Sequence, residues 1–488
     1  HNARFGWSLT MFQNDDMDLV AEQVNPANPN EVKVGGRWVA MTSREETIAV
    51  KGREPVTLTL RRSPHGPIVN EALGRAAGEA PVALWWALLE APNPALEGFW
   101  QLNRADSLAK ARQAASLVHA PGLNIVWASA AGDIGWWAAA LLPERPAGVD
   151  GRFLLDGSRP EADKPGWRPF SRNPQAENPA RGLIVSANHQ PAGEQPVPGY
   201  YNPRDRAQRL EGLLAAPDVR WTTENSRALQ LDVGTPYPPR LLAPLLTELR
   251  AAARGPDEQA LVDALAGWDG RYTLESTTAP LFRQFQYELA RAAMADEMGE
   301  TLFPLLLRTR AIDEGLLRLA AEPASPWWDS RGTPATERRA DIVAAAWRAT
   351  LAHLASTFGD DRSRWTWARA HTLTHGHPLG RVKPLDKLFD IGPFAQPGSH
   401  EVPNNLASPL GPAPWPVTYG PSTRRLIDFA APAQALGINP VGQSGVWGDT
   451  HWADQAERYA RGEYRPQWLD AADVARATRS TLTLRPAP

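Results

Sequence analysis

Short blocks of alternating apolar and polar residues fill the chain up to about residue 190, and this period of two is typical of half-buried strands. The opening block, residues 5–12, mixes aromatic, apolar and hydroxyl side chains and predicts a buried strand. Three pairs of blocks turn at glycines, at Gly35-Gly36, near Gly52 and at Gly132-Asp133. Glycine tolerates the positive φ of tight turns, so each pair predicts a β-hairpin.

Helical spacing of apolar residues replaces this pattern from about residue 205 to about residue 364. The clearest helix is predicted to begin with Thr333 as its N-cap and Pro334 in its first turn, and to end at Gly359. Its buried face is predicted to contain Ile342, Val343, Trp347, Leu351 and Leu354. A shorter amphipathic helix is predicted at residues 107–118 after an Asp106 cap, and a polar helix at residues 454–461.

Hairpins, then helices, then short strands indicate an α+β protein. We predict a strand-rich core made of residues 1–204 and 365–488, with a helical insertion at about 205–364. The chain shows no repeat with a period of about 20–50 residues, which argues against a solenoid or a propeller.

Composition narrows the class of partner. The net charge is −3 and no block is rich in lysine and arginine, so neither a nucleic acid nor an anionic membrane surface is a predicted partner. The longest apolar runs, such as residues 82–89, are too short to span a bilayer. The absence of cysteine excludes disulfides, thiolate catalysis and Cys-ligated zinc in this chain. A small neutral molecule is the predicted partner.

Common catalytic motifs are missing from the sequence. No nucleophile elbow, P-loop, dinucleotide fingerprint or H-E-x-x-H occurs, and no organic cofactor is predicted. His371, His375 and His377 have a spacing that could suit zinc, but glycines and a proline make the segment a turn and no nearby acid completes a site. His65 is predicted to be a turn histidine bonded to the backbone.

Paired tryptophans allow a second interpretation, in which the chain is a non-catalytic secreted module with a tryptophan-lined, sugar-binding surface. Such a surface needs spaced rings exposed on one side, whereas pairs within strands and beside loops indicate burial. The pairs that decide between these interpretations are Trp85, Trp86, Trp136, Trp137, Trp327 and Trp328.

Seven segments occur in order along nearly the whole chain. They are HNARFGWSLTMFQNDDMDLVAEQV, REETIAVKG, HGPIV, NIVWASAAGDIGW, GLIVSANHQP, NPRDRAQRLEGLL and PVGQSGVWGDTHWADQAERYARGEYRP. This series resembles the β-chain of the penicillin acylases, a family of N-terminal-nucleophile hydrolases that includes N-acyl-homoserine-lactone acylases. The resemblance implies a four-layer αββα fold and hydrolysis of a linear amide between an acyl group and an amine.

In this family the nucleophile is a serine that self-cleavage exposes as a first residue. Its own α-amino group, with a pKa of ~8, can accept the hydroxyl proton. His1 matches a histidine inside the family motif, so we expect the serine in an upstream β-chain segment. The resemblance also implies an α-chain from the same precursor as partner, and a periplasmic or secreted location.

Site residues follow from the same resemblance. Asn188 matches a side-chain donor to the oxyanion, Met11 a backbone N–H donor, and Arg206 an arginine that holds the asparagine and the nucleophile region in place. The acyl-pocket positions are Leu9, Trp86 and Leu123.

These acyl-pocket residues carry no charge, so an apolar acyl group is predicted over a dicarboxylic one. N-acyl homoserine lactones are favoured over penicillins as substrates, because Leu9 replaces a small polar residue of the best-known penicillin acylases.

The acidic turn after the first strand resembles a structural calcium site of the family. Matching positions are Asp15, Asp18 and the carbonyls of Met17 and Gly151, and oxygen ligands of this kind suit calcium. The loop between Asn188 and Arg206 lacks an evident aspartate to complete the set. A solvated acidic turn is the alternative.

Overall fold

A computed structural model describes residues 1–74, 78, 80–193 and 195–486. The chain has a mixed α+β fold and divides into two compact units, one formed by residues 1 and 3–201 and the other by residue 2 and the residues from 202 onward. Strands dominate the first unit and helices dominate the second. The division into two units does not test the predicted strand-rich core of residues 1–204 and 365–488, or the predicted insertion at about 205–364. Both stay predictions.

The first unit consists mainly of antiparallel strands. Its strands are β1 (Phe5–Met11), β2 (Met17–Ala21), β3 (Val24–Asn25), β4 (Asn28–Val34), β5 (Arg37–Ala40), β6 (Thr42–Ile48), β7 (Val56–Ser63), β8 (Gly66–Pro67), β9 (Val82–Trp86), β10 (Leu123–Ser129), β11 (Ile134–Ala139), β12 (Pro143–Glu144), β13 (Leu155–Asp156), β14 (Gly166–Trp167) and β15 (Gln175–Glu177). Its helices are α1 (Asn70–Leu73), α2 (Ala87–Glu90), α3 (Ala95–Leu102) and α4 (Leu108–Ala115).

The sheet that carries the candidate site has the strand order β1-β10-β11-β15. All its pairings are antiparallel, and Met11 lies opposite Leu123 in the β1–β10 register. One face packs against α3 and α4 through Leu102 and the small side chains Ala111 and Ala115. Small residues on α4 let the helix approach the large rings of the sheet closely.

The three predicted hairpins are confirmed, and so is the first predicted strand, but the prediction that this strand is buried is wrong beyond Phe5 and Gly6, because it lies at the edge of its sheet. β4 and β5 turn at Gly35 and Gly36, which have φ values of 54° and 80°. β6 and β7 pair across the segment that contains Gly52, and β10 and β11 pair across Gly132. The predicted Asp106 cap is wrong, because Ser107 precedes α4 and its side chain accepts a hydrogen bond from the Lys110 N–H.

The second unit is mainly helical. Its helices are α5 (Asp205–Leu214), α6 (Thr223–Gln230), α7 (Tyr237–Leu242), α8 (Leu246–Ala252), α9 (Gly255–Ala266), α10 (Thr278–Leu306, broken at Gly299), α11 (Ala311–Ala321), α12 (Arg339–Phe358), α13 (Trp367–Ala370), α14 (Asp386–Phe389), α15 (Ala456–Ala460) and α16 (Ala471–Ala477). Its strands are β16 (Thr372–His375), β17 (Ile391–Ala395), β18 (Arg424–Leu426), β19 (Leu436–Ile438) and β20 (Arg465–Pro466).

Helices α10 and α12 form the centre of this unit, where the ring of Phe285 meets that of Trp347. The predicted end of α12 is confirmed, since Gly359 follows the helix with a φ of 91°. Its predicted start is wrong: the Thr333 hydroxyl donates to Glu337 and to the Ala335 carbonyl instead of capping, and the helix begins at Arg339. Four of the five side chains predicted to be buried are buried, and Leu351 is half-buried.

The predicted polar helix at residues 454–461 appears as the shorter α15. Among the described residues, no helix has the combination of length and hydrophobicity that crossing a bilayer requires.

Candidate active site

The end of strand β1 offers backbone groups that its own sheet does not use. In the described part of the chain, β1 is an edge strand with β10 as its neighbour. The Phe12 N–H donates to the Gly122 carbonyl at 3.0 Å. Because antiparallel residues alternate in direction, the adjacent Met11 turns its N–H and C=O away from β10. Met11 therefore has the backbone orientation that an N–H donor to a bound molecule requires.

Asn188 lies at this edge, although it is distant from Met11 in sequence. Its Nδ2 donates to the Met11 carbonyl at 3.0 Å. The Asn188 backbone has a φ of 60°, a left-handed conformation that asparagine tolerates better than most residues do. The amide nitrogen of Asn188 has two hydrogens. The hydrogen bond to the Met11 carbonyl uses one of them and fixes the direction of the other. The structure thus brings the two predicted oxyanion donors together, and their role stays a prediction.

Asn124 is a third polar residue at this edge, and it was missed in the sequence. Its Nδ2 lies 3.2 Å from the Met11 carbonyl and 3.3 Å from the Thr10 hydroxyl, while its Oδ1 accepts from the Trp136 indole N–H at 3.0 Å. The Thr10 hydroxyl also lies 2.5 Å from that of Ser186. Asn124 is buried and fixes the position of the Met11 carbonyl. The feature of the sequence that could have identified Asn124 is that it is a polar residue within the largely apolar strand β10.

The predicted acyl-pocket residues are only partly brought together. Leu9 and Met11 point to the same face of β1, with 42% and 45% of their surface exposed, and the buried Leu123 lies across from Met11. Trp86 ends β9 in another sheet, and its side chain hydrogen-bonds to the carboxylate of Asp16. The geometry thus groups Leu9 with Leu123 and directs Trp86 to the acidic turn.

Arg206 belongs to the second unit, near the start of α5. Burial lowers the pKa of its guanidinium, and the nearby carboxylate of Glu401 opposes that shift. Glu401 is itself buried and accepts a hydrogen bond from Asn202 Nδ2 at 2.7 Å. Arg206 is thus a half-buried arginine near a buried carboxylate of its own unit, and its holding role stays a prediction.

The acidic turn contains two buried carboxylates that meet side-chain cations. Arg145 lies on Asp18 through Nε and Nη2 at 3.1–3.3 Å, and its Nη2 also donates to the Asp15 carbonyl at 3.2 Å. Lys164 Nζ lies 2.9 Å from Asp18 Oδ2. We name Asp15, Asp18, Arg145 and Lys164 the charge cluster. Burial raises the pKa of Asp15, and the charge of Arg145 opposes this.

Gly151, whose carbonyl is a predicted calcium ligand, lies against the charge cluster. A Cβ at this position would come within 2.5 Å of Asp18 Oδ1 and 2.6 Å of Asp15 Oδ2. Met17 is the first residue of β2. The carboxylate oxygens of Asp18 already contact Arg145 and Lys164, so a calcium ion would compete with these two cations for the same oxygens. Among the described residues, no group of three or more acids and histidines could hold a metal. Calcium binding stays a prediction.

The histidines have structural surroundings. His371 is buried, with its ring nitrogens 2.7 Å and 3.0 Å from the carbonyls of Gln396 and Leu406, and burial lowers its pKa to about 4. His377 accepts from the Leu379 N–H and stacks on Phe389. The prediction for His65 is wrong in its partner: Nδ1 contacts the Glu22 carboxylate at 3.0 Å rather than the backbone.

The tryptophan pairs argue against a sugar-binding platform. Within each pair one ring is buried, namely that of Trp85, Trp137 and Trp328. Trp85 packs on the ring of Trp167, and the Trp137 indole N–H donates to Glu177. These three rings are therefore part of the protein interior and do not form a row of exposed rings on one surface.

The chain is similar to known proteins in sequence and in fold. The chain is 27% identical over 530 residues to the acyl-homoserine lactone acylase QuiP of Pseudomonas aeruginosa, across 99% of this chain and 62% of that protein, so it spans about six tenths of the relative's length. Penicillin G acylase of Escherichia coli is 29% identical over 291 residues, across 55% of this chain and 32% of that protein.

The structure of thermostable penicillin G acylase from Alcaligenes faecalis matches with a TM-score of 0.72 and 19% identity, over 100% of this chain and 89% of that chain, which shows a shared fold. The family model described as penicillin amidase matches residues 1–476. The chain belongs to the penicillin amidase family.

Proposed function

We propose that the protein hydrolyses a linear amide between an apolar acyl group and an amine, with Met11 and Asn188 as the donors that stabilise the oxyanion. The observation that carries the proposal is the 3.0 Å hydrogen bond from Asn188 Nδ2 to the Met11 carbonyl at the edge of β1. It joins the side-chain amide of Asn188 to the backbone carbonyl of Met11, and so brings two possible donors, the Asn188 amide and the Met11 N–H, from distant parts of the chain to one edge. Two converging neutral donors suit an oxygen that becomes negative during the reaction.

The proposed chemistry begins when a serine hydroxyl adds to the amide carbonyl carbon and its proton passes to an α-amino group. The carbonyl oxygen becomes an oxyanion that accepts hydrogen bonds from the Met11 N–H and from Asn188 Nδ2. The proton then moves to the departing amine as the carbon–nitrogen bond breaks. Water hydrolyses the resulting ester and releases the carboxylic acid. Arg206 is proposed to hold the asparagine and nucleophile region.

The finer features of the family extend this proposal. We infer a four-layer αββα arrangement, a nucleophilic serine in another segment of the same β-chain, and an α-chain from the same precursor. Membership of the penicillin amidase family supports these inferences. A periplasmic or secreted location accompanies them.

The acyl group is proposed to be apolar because Leu9 and Leu123 share one face of the β1–β10 pair and carry no charge. A carboxylate buried among such residues would lose its hydration without a partner. N-acyl homoserine lactones are the favoured substrates, with penicillins as the alternative, and the Pseudomonas relative is named for the former. Release of octanoate from its amide should exceed release of glutarate from a matched amide.

The decisive test removes the Asn188 amide from the full-length, processed protein. Both Asn188→Ala and Asn188→Gly should lower kcat by about 10²–10³ with a smaller effect on KM, because the oxyanion charge exists only during the reaction. Asn188→Gly suits the left-handed backbone and separates lost chemistry from strain. Kinetics on an N-octanoyl amide measure the effect, after mass spectrometry has confirmed processing.

Asn178 provides a matched control, since it is also an asparagine with a positive φ, of 43°. Asn178→Gly should leave kcat near the wild-type value. A correctly processed Asn188→Gly protein with normal turnover would remove this residue from the mechanism.

A further inference from the structure

The charge cluster is buried and balanced. The exposed fractions of the side chains are 4% for Asp15, 0% for Asp18, 10% for Arg145 and 6% for Lys164. Two carboxylates therefore face two cations in a region that excludes water. Buried carboxylates require compensating charge, so each cation here is needed by the acids it contacts.

The guanidinium of Arg145 has the contacts of a bridging ion. Its Nε and Nη2 reach both oxygens of Asp18, and its Nη2 also reaches the Asp15 carbonyl at 3.2 Å and Asp15 Oδ2 at 3.3 Å. One cation thus gathers four oxygens from two residues of the acidic turn. A planar guanidinium is suited to such multidentate contacts.

Lys164 occupies the remaining side of Asp18. Its Nζ also donates to the Ala162 carbonyl at 2.9 Å and lies 5.0 Å from the centre of the Trp85 ring. These contacts hold the ammonium at the carboxylate. A calcium ion needs six to eight oxygens at about 2.3–2.6 Å, and the Asp18 oxygens it would use already accept hydrogen bonds from the two cations. Metal binding would force both cations out of buried positions.

We propose that Arg145 and Lys164 take the place of a divalent cation in this chain. They fasten the acidic turn to two later segments, the one after β12 and the one before β14. The first unit is therefore stabilised at this point by side chains alone, and its stability is independent of calcium. This inference stands apart from the proposed amide hydrolysis, because none of the four residues is assigned to the chemistry.

Thermal unfolding of the full-length, processed protein tests the proposal. The wild-type melting temperature should change by less than about 1 °C between EDTA and millimolar calcium chloride, because no site releases or gains the ion. Elemental analysis of the dialysed protein should find less than about 0.1 calcium per molecule. A stoichiometric calcium content, or a large loss of melting temperature in EDTA, would overturn the proposal.

Removing the guanidinium should create the metal dependence that the wild type lacks. Arg145→Ala leaves two buried acids with one cation, so the melting temperature should fall by about 10 °C in EDTA and recover in part with calcium. Arg152→Ala is the matched control, because Arg152 pairs with Asp150 on the same loop while largely exposed. Its melting temperature should hardly change and should not respond to calcium.

Two further results complete the test. Arg145→Lys keeps one charge but loses the bridge, so its melting temperature should lie between those of wild type and Arg145→Ala. Equal melting temperatures for Arg145→Ala and Arg152→Ala would overturn the proposal, since the bridge would then contribute nothing. Where Arg145→Ala fails to fold, the metal content of the wild type and its response to EDTA decide alone.

Discussion

Two pairs of acidic side chains lie in different units and are neutralised in different ways. In the first unit the acids of the charge cluster face two protein cations. In the second unit Asp296 and Glu297 are neighbours in α10, just before its break at Gly299. Asp296 accepts from the backbone N–H of Arg331 at 2.7 Å and from that of Glu297 at 3.1 Å, and the two carboxyl groups hydrogen-bond to each other.

The second pair is compensated by a proton. Burial, together with the hydrogen bond to Asp296, raises the pKa of Glu297 to about 7. At Asp296 the pKa is lowered. Desolvation would raise it, but the hydrogen bonds that Asp296 accepts, led by that from Glu297, outweigh this effect. Closely spaced carboxylates are thus compensated either by side-chain cations, as in the charge cluster, or by a proton, as at the partly exposed pair of Asp296 and Glu297. The proton on Glu297 is lost as the pH rises through about 7.

The largest expected effect comes from breaking the charge cluster at its central acid. Asp18→Ala leaves both cations without their main partner and should lower the free energy of unfolding by about 3–5 kcal/mol. Chemical denaturation in EDTA measures the loss. Asp150→Asn, at the exposed ion pair with Arg152, is the control and should hardly change the denaturation midpoint. Equal midpoints for the two variants would remove the distinction between buried and exposed pairs.

A smaller effect is expected at the glycine that lies against the charge cluster. Gly151→Ala places a methyl group 2.5 Å from Asp18 Oδ1, so the ion pairs must shift, and the cost should be about 1–3 kcal/mol. Gly166→Ala is the control, because its nearest neighbour, a carboxylate oxygen of Glu144, is 3.9 Å away. The same denaturation experiment should rank Gly151→Ala clearly below both Gly166→Ala and wild type.

The smallest expected effect is the pH dependence of the second pair. The pKa of Glu297 is raised in the folded state from 4.5 to about 7, so this group's stabilisation is complete below pH 4.5 and is lost as the pH rises through 7. Glu297→Gln keeps an N–H donor without the charge. Allowing for solvent screening, it should be about 1 kcal/mol more stable than wild type at pH 8 and nearly equal at pH 5.

Thermal unfolding at the two pH values measures this difference. Glu300→Gln, at a neighbouring position, is the control, and its stability relative to wild type should be the same at both pH values. A Glu297→Gln protein that tracks wild type at both values would show that the pair shares no proton.

The local features of the fold were predictable because short segments encode them. The turn at residues 35 and 36 requires positive φ values, which glycine tolerates, and the alternation on either side sets the hairpin. Gly359 ends α12 for the same reason. The start of α12 was not predictable from the usual capping pattern, since Thr333 has local hydrogen bonds with Glu337 that compete with capping.

Long-range pairings could not be predicted from patterns of residues. Nothing near Asp18 or Arg145 in the sequence indicates that their side chains meet, and the Glu22 partner of His65 was missed for the same reason. At the candidate active site, Asn188 and Met11 were found through the resemblance to a family. Asn124, which secures the Met11 carbonyl, escaped because polar residues within strands are common.

The separation of 127 residues between Asp18 and Arg145 has a consequence for how the first unit folds. Hairpins such as β4–β5 close over a few residues, whereas the guanidinium can reach Asp18 only after the intervening strands and helices have assembled. Until then the carboxylate remains hydrated. We therefore expect the ion pairs to form after the transition state and to act mainly by slowing unfolding of the first unit.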